Sequence, residues 1–256
     1  MKTWITSFVA AFSTYSKIPM PRFMWDSSDM KYQLCFFPLV GACIGGVEWL
    51  WYLLSGYLHI GMPAFLLLAA AIPLIVTGGF HLDGFMDTMD ALHSYQTRER
   101  KLEILKDPHI GAFSVISLMG FFLLYSAFLS EVKGQKAFLI VSMGFVLSRV
   151  LAGISILTFQ KAKKEGMLQV AAHTAQKKVV LSFLIVELLL TMAAMLYISV
   201  GYGIAAILAA GFVLLYYRWM SYRQFGGITG DLAGFFVTVS ELFIAMAVSI
   251  TKYIAG

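Results

Sequence analysis

Charge is what this chain has least of. Lysine, arginine, aspartate and glutamate make up only 13% of its 256 residues, about half the share carried by an ordinary soluble domain. With 59% of residues hydrophobic, that scarcity excludes a water-soluble globular protein and points to an integral membrane protein. Cysteine is nearly absent too. Cys35 and Cys43 fall in the first apolar run, about 12 Å apart along a helix, too far for a disulfide without distortion. No Cys-His spacing suggests zinc, and no low-complexity tract is present. The apolar start, Met1 to Ser13, is not followed by an Ala-x-Ala pattern and does not read as a signal peptide.

What is present is a series of apolar runs of bilayer-crossing length, about 20 residues each. They lie roughly at 33–55, 62–80, 110–130, 137–159, 180–200, 203–217 and 233–253. The expected fold is all-α: a polytopic membrane helical bundle of about seven transmembrane helices, forming a single integral membrane domain over 1–256. Trp4, Ile5, Phe8, Val9 and Phe12 make a helical stripe, which predicts an N-terminal interfacial helix in contact with membrane lipids. The net charge of +5 does not imply nucleic acid, because the basic residues are confined to certain loops. Segments 1–32, 81–109, 160–178 and 218–232 carry 4, 4, 5 and 2 of them, while the alternate segments hold only Lys133, Lys136 and Lys252. By the positive-inside rule the N-terminus and these four segments are cytoplasmic. Glu48, Arg149, Glu187 and Glu241 lie within spans and must face protein or water, and Arg149 is expected to pair with one of the acids.

The rare charge is concentrated in one place. Asp83, Asp87 and Asp90 are spaced i, i+4, i+7, which gathers them within about 60° of arc on a helix. Each uncompensated Asp near a bilayer centre costs on the order of 3 kcal/mol on insertion scales. The acidic segment 81–109 therefore belongs at the aqueous edge, on a metal ion, or both. Upstream stand Gly78, Gly79 and His81. A second Gly-rich loop, in 218–232, repeats Gly-Gly-x-x-x-Asp as Gly226, Gly227, Ile228, Thr229, Gly230 and Asp231. Paired glycines let backbone N–H groups approach a phosphate, and the following Asp supplies an anionic ligand for a divalent cation. Helix capping is the competing explanation for Asp83 and Asp231. Asp107 followed by Pro108 reads as the N-cap of the third span.

These residues resemble the cobalamin-5'-phosphate synthase family, also called adenosylcobinamide-GDP ribazoletransferases. The segment from Gly79 to Asp90 is close to that family's His-Leu-Asp-Gly-x-x-Asp-Thr-x-Asp core. Similar elements are Ser16-Lys17-Ile18-Pro19-Met20-Pro21, Phe37-Pro38-Leu39-Val40-Gly41, Lys106 to Gly111, Leu147-Ser148-Arg149, Lys164-Glu165-Gly166 and Gly226 to Asp231. The chain departs from the pattern at Lys17 and His109, where arginine is expected. The resemblance implies a Mg²⁺-dependent enzyme in which the 3'-hydroxyl of α-ribazole 5'-phosphate, or of α-ribazole, attacks the cobinamide-side phosphorus of adenosylcobinamide-GDP and releases GMP. On this reading Asp83, Asp87, Asp90 and Asp231 are metal ligands, with Asp90 alternatively the base. His81 is a catalytic residue that steadies the diphosphate or the leaving GMP. Gly78, Gly79, Lys17, Arg149, Lys164, Gly227 and Thr229 contact substrate. The expected location is a bacterial or archaeal cell membrane, with the active site on the cytoplasmic side and room for a homo-oligomer. Two other readings compete. A CDP-alcohol phosphotransferase needs Asp-Gly-x-x-Ala-Arg, whereas Asp83-Gly84 is followed by Phe85, Met86, Asp87 and Thr88. An ion-coupled transporter would use the intramembrane acids as cation sites, but no long-range repeat is visible.

Overall fold

The computed structural model describes residues 2–21, 30–162 and 167–254, and among them the regular structure is helical. Helix α1 spans Lys2–Tyr15; a 3₁₀ turn, Gln33–Cys35, leads into α2, Phe37–Tyr57. Then follow α3 (Met62–Thr77), α4 (Phe80–His93), α5 (Arg98–Ile104), α6 (Ala112–Glu131) and α7 (Gln135–Thr158). The chain ends with α8 (Met167–Thr174), α9 (Lys177–Ile198), α10 (Val200–Phe225) and α11 (Gly230–Ile254). Each of the seven apolar runs holds one long helix. Six are of spanning length on their own, and α3 turns 99° into α4 at a short break. Sixteen residues of α3 rise about 24 Å, most of a hydrocarbon core. Helix α4 leaves that direction and runs across one end of the bundle, so it is not a spanning helix.

The break has a local cause. Gly78 and Gly79 both take left-handed φ, +67° and +82°, where a side chain would be strained. Pro73 lies a turn earlier in α3, and Thr77 returns its hydroxyl to the Pro73 carbonyl at 2.7 Å.

Helix α7 is the axis of the bundle, while α6, α9 and α10 face outward over most of their length. Glycines set the inner contacts. A Cβ at Gly41 would stand 2.2 Å from the Phe145 carbonyl oxygen, and one at Gly45 would stand 2.3 Å from that of Ser142. This small-xxx-small spacing brings α2 backbone-to-backbone against α7, the contact on which helix association in lipid depends. Helices α4 and α11 meet the same way. A Cβ at Gly84 would lie 2.7 Å from the Asp231 carbonyl oxygen, and one at Gly234 would lie 2.8 Å from that of His81. Deeper in the bundle Arg149 of α7 donates to Glu241 of α11 at 2.7 Å and to its own helix at the Phe145 carbonyl at 2.8 Å. Buried charges of this kind persist only when paired.

Two expectations, the 218–232 loop and the Asp107 cap, are corrected, and the N-terminal helix is given its place. Helix α10 runs on to Phe225, so the loop expected over 218–232 shrinks to 226–229; Arg218 lies over Phe159 and Tyr222, and Arg223 lies over Trp219. Long basic side chains ride on the last turns of a membrane helix instead of ending it. Helix α1 is docked on the bundle: Val9 and Phe12 are buried, Trp4 stacks on Tyr32 at 4.2 Å, and Ile5 points outward. Asp107 does not cap the third span. Helix α6 begins only at Ala112, and the exposed Asp107 carboxylate instead accepts from the His109 backbone N–H and faces its ring at 2.6 Å. Those contacts hold it below the usual carboxylate range.

The α2–α7 contact leads to a paired test. Gly41→Leu forces a side chain onto a backbone carbonyl and should cost at least about 3 kcal/mol, read as loss of the monodisperse, thermally stable species in detergent. Gly46→Leu, one residue past Gly45 with nothing within 4 Å of its Cβ position, should leave that species unchanged.

Candidate active site

The α3–α4 break opens onto a cleft of about 980 Å³ bounded by Ser16, Lys17, Gly78, Gly79 and Asp83, with Phe122 of α6 on the opposite wall. The backbone N–H of Lys17 bonds to the Val76 carbonyl at 2.8 Å. Its side chain then lies flat across Gly78, where a Cβ would meet the Lys17 Cε at 2.2 Å. Of the anion-binding residues expected from sequence, Lys17, Gly78 and Gly79 are thus brought together beside Asp83. The glycines act differently from expectation, however. Their N–H groups are already used, Gly78 by the Leu74 carbonyl at 2.7 Å and Gly79 by the Thr77 hydroxyl at 3.2 Å. What the turn leaves open is the first turn of α4, which has no side-chain cap. Asp83, in that turn and exposed, does not cap it.

Along α4 the three aspartates occupy one face but meet different neighbours. Asp90 is held at the start of α6, where its two oxygens accept the N–H groups of Gly111 at 2.8 Å and Ser114 at 2.9 Å. This is an N-cap supplied from another helix. Asp87 is half-buried, and α4's contact with α11 at Gly84 sets Asp231 across from it. Burial first, then the charges of Asp83, Asp231 and Asp90, push the Asp87 carboxyl up to about 7. Three of the four acids named from sequence therefore act on the fourth, Asp87. Among the described residues, no three His, Cys, Asp or Glu side chains close on one point tightly enough to hold a metal ion unaided. That arrangement does not fit a closed structural site. It does fit Mg²⁺, which keeps several waters and takes one or two carboxylates plus substrate phosphate oxygens.

The second glycine loop serves packing. Gly226, at φ +78°, ends α10, and Gly227 sits where a Cβ would stand 2.6 Å from the Gln160 carbonyl oxygen. The Gly227 N–H bonds to Ser221, and Ile228 exchanges backbone hydrogen bonds with Gln160 and Ala162. The Thr229 hydroxyl accepts the Leu232 N–H at 3.2 Å and donates to Asp231 at 3.3 Å, so Thr229 caps α11. The substrate role read for Gly227 and Thr229 gives way to this one: they fix the direction from which Asp231 faces α4. Sequence reasoning missed Arg98, whose guanidinium lies over Gly226 and adds a cation to this end of the bundle. Nothing local marks a pairing across 128 positions.

His81 and Arg149 are elsewhere. His81 is buried on the face of α4 turned away from Asp83, between Tyr15, Phe37 and Phe80. It borders a pocket together with Arg149, Glu241, Tyr125 and Thr238, which adjoins the acidic cleft at Thr77, Gly79, Leu82 and Phe122. Arg149 is 1% exposed and committed to Glu241, so it holds α7 to α11 and does not reach the acidic cleft. Lys164 lies outside the described residues.

Comparison with known proteins agrees with this arrangement of motifs. The family model for cobalamin-5-phosphate synthase matches residues 7–249. An adenosylcobinamide-GDP ribazoletransferase of Lachnoclostridium phytofermentans is 41% identical over 249 residues, covering 97% of this chain and 95% of that protein. Proteins of the same name from Desulfitobacterium hafniense and Clostridium botulinum (strain Alaska E43) are 37% and 35% identical. They cover 96% and 94% of this chain, and 95% and 96% of their own lengths. No solved structure matches. A match along nearly the whole length, with the acidic helix and both glycine turns inside it, makes this chain a member of the cobalamin-5-phosphate synthase family.

Proposed function

We propose that the chain is an adenosylcobinamide-GDP ribazoletransferase, joining adenosylcobinamide-GDP to α-ribazole 5'-phosphate or α-ribazole. The ribazole 3'-oxygen bonds to the cobinamide-side phosphorus, the bond from that phosphorus to the GMP oxygen breaks, and GMP leaves with the electron pair. The hydroxyl proton passes to a carboxylate. The observation that carries the reading is the backbone contact at Gly84, which sets Asp231 against the acidic face of α4 beside a cleft holding Lys17. Family membership removes the ground for the phosphotransferase and transporter alternatives.

In this reading Asp83, Asp87 and Asp231 hold Mg²⁺ when substrate is present. The ion supplies charge neutralisation on the diphosphate. Lys17 and the uncapped first turn of α4 bind phosphate oxygens, since helix N-termini favour anions. Asp90 keeps α4 and α6 in register. The basic loops favour a cytoplasmic setting for this end of the bundle, where the polar leaving group would be released.

Three outcomes are expected. Asp83→Asn should lower GMP release at least about 1,000-fold while the protein remains in the membrane and elutes normally in detergent; turnover near wild type would remove Asp83 from the site. Lys17→Ala should raise the KM for adenosylcobinamide-GDP about tenfold, in line with loss of one charge-assisted contact, and Lys17→Arg should recover it. The third concerns pH. Asp87 has a folded-state pKa of about 7 against an ordinary 3.8. The stability linked to its proton is therefore fully present below about pH 4 and lost as pH rises through about 7. Melting curves in chelator should show Tm falling across that window, Mg²⁺ should restore Tm at pH 7.5, and Asp87→Asn should flatten the dependence.

A further inference from the structure

Beside the acidic cleft lies a second, drier pocket lined by α1, α2, α4, α7, α8 and α11. One side is a wall of rings: Tyr15, Phe37, Phe80 and His81. The His81 ring is within 26° of parallel to Phe37 at 5.5 Å and within 21° of parallel to Tyr15 at 6.4 Å. The rest of the lining mixes residues with little or no side chain, Ala152, Ala171, Gly230, Ala233 and Gly234, with the apolar side chains of Ile156, Leu168 and Val237. A Cβ at Gly230 would meet nothing within 4 Å. Rings set among small and aliphatic residues make a slot suited to a flat, apolar group.

The slot is also chemically selective. Its polar side chains are the Tyr15 phenol and the His81 imidazole, and His81 is 6% exposed with neither ring nitrogen hydrogen-bonded among the described residues. In either neutral tautomer one nitrogen carries a donor hydrogen, and a buried donor without an acceptor is costly. A guest with one ring-nitrogen acceptor and otherwise apolar edges would satisfy it. Guanine would not fit, because several of its donors and acceptors would be buried without partners. The slot also adjoins the acids. Phe80 borders both cavities, and Gly230 directly precedes Asp231.

We propose that this slot binds the heteroaromatic base of the acceptor nucleoside, a benzimidazole-type bicycle stacked on Phe37 and Tyr15 with its free ring nitrogen accepting from His81. The assignment rests on the transferase reading above. It separates the two heteroaromatic groups of the reaction, sending the apolar base here and the guanine elsewhere.

The test uses benzimidazole itself as probe, in equilibrium dialysis against the purified full chain in detergent without Mg²⁺ or corrinoid, and KM values for both substrates in the complete assay. Wild type should bind benzimidazole at least tenfold more tightly than guanosine. Ala171→Leu, which fills the slot from α8, should weaken that binding and raise the acceptor KM at least tenfold, leaving the KM for adenosylcobinamide-GDP within twofold. Leu168→Ala, which widens the slot, should shift preference toward the longer naphthimidazole, and it decides the matter should Ala171→Leu fail to fold. Equal benzimidazole binding by wild type and Ala171→Leu, a change confined to the donor KM, or an unaltered preference in Leu168→Ala would overturn the proposal. If wild type binds benzimidazole and Ala171→Leu does not, yet no GMP is released, the slot stands and the transferase reading falls.

Discussion

The site depends on two helices touching without side chains between them. Where α4 crosses the start of α11, Gly84 and Gly234 leave room for carbonyl oxygens that any Cβ would displace. The closeness has an electrostatic cost, because it sets Asp231 against a helix that already carries three aspartates on one face. The cost is met locally. Asp90 turns to the N–H groups at the start of α6, Asp231 accepts from Thr229, and Asp87 is left with a carboxyl that holds its proton unusually well.

Two pockets adjoin along α4 and share Leu74, Thr77, Gly79, Leu82 and Phe122 in their walls. On one side of α4 lies a wet cleft with Asp83 and Lys17. On the other, His81 meets rings, Arg149 and a cavity reaching toward Glu241. The Arg149–Glu241 pair ties α7 to α11 inside the bilayer, where an unpaired partner would be strongly unfavourable. Helix α4 therefore rests on a fixed floor. The placement of the acids is a property of the whole bundle, since the glycines of α2 lock α7 and α7 in turn holds α11.

The sequence made the spans legible because length and hydropathy are enough to find them. The helical spacing of Asp83, Asp87 and Asp90 was legible because a period needs no partner. What escaped were relations across distance. Asp90 caps a helix that starts 22 residues later, at Ala112, and the nearby Asp107-Pro108 offered a plausible local alternative. Arg218 ended an apolar count but not a helix, because its neighbours Phe159 and Tyr222 accept it. The paired glycines carried the right loops but the wrong use: their amides are spent inside the turns, and their missing side chains are what matter. His81 stands two residues from Asp83 in sequence, yet rotation about α4 turns it to the adjoining pockets instead of the acidic face.

The 99° turn between α3 and α4 bears on how such a chain reaches its lipid environment at all. If α4 continued the line of α3, three carboxylates would have to be threaded into hydrocarbon during synthesis, at about 3 kcal/mol apiece. Because the chain swings aside at Gly78 and Gly79, the insertion machinery handles 16 apolar residues and then releases an acidic helix along the surface. The same two glycines that open the acidic cleft also let it be assembled without passing its charges through oil.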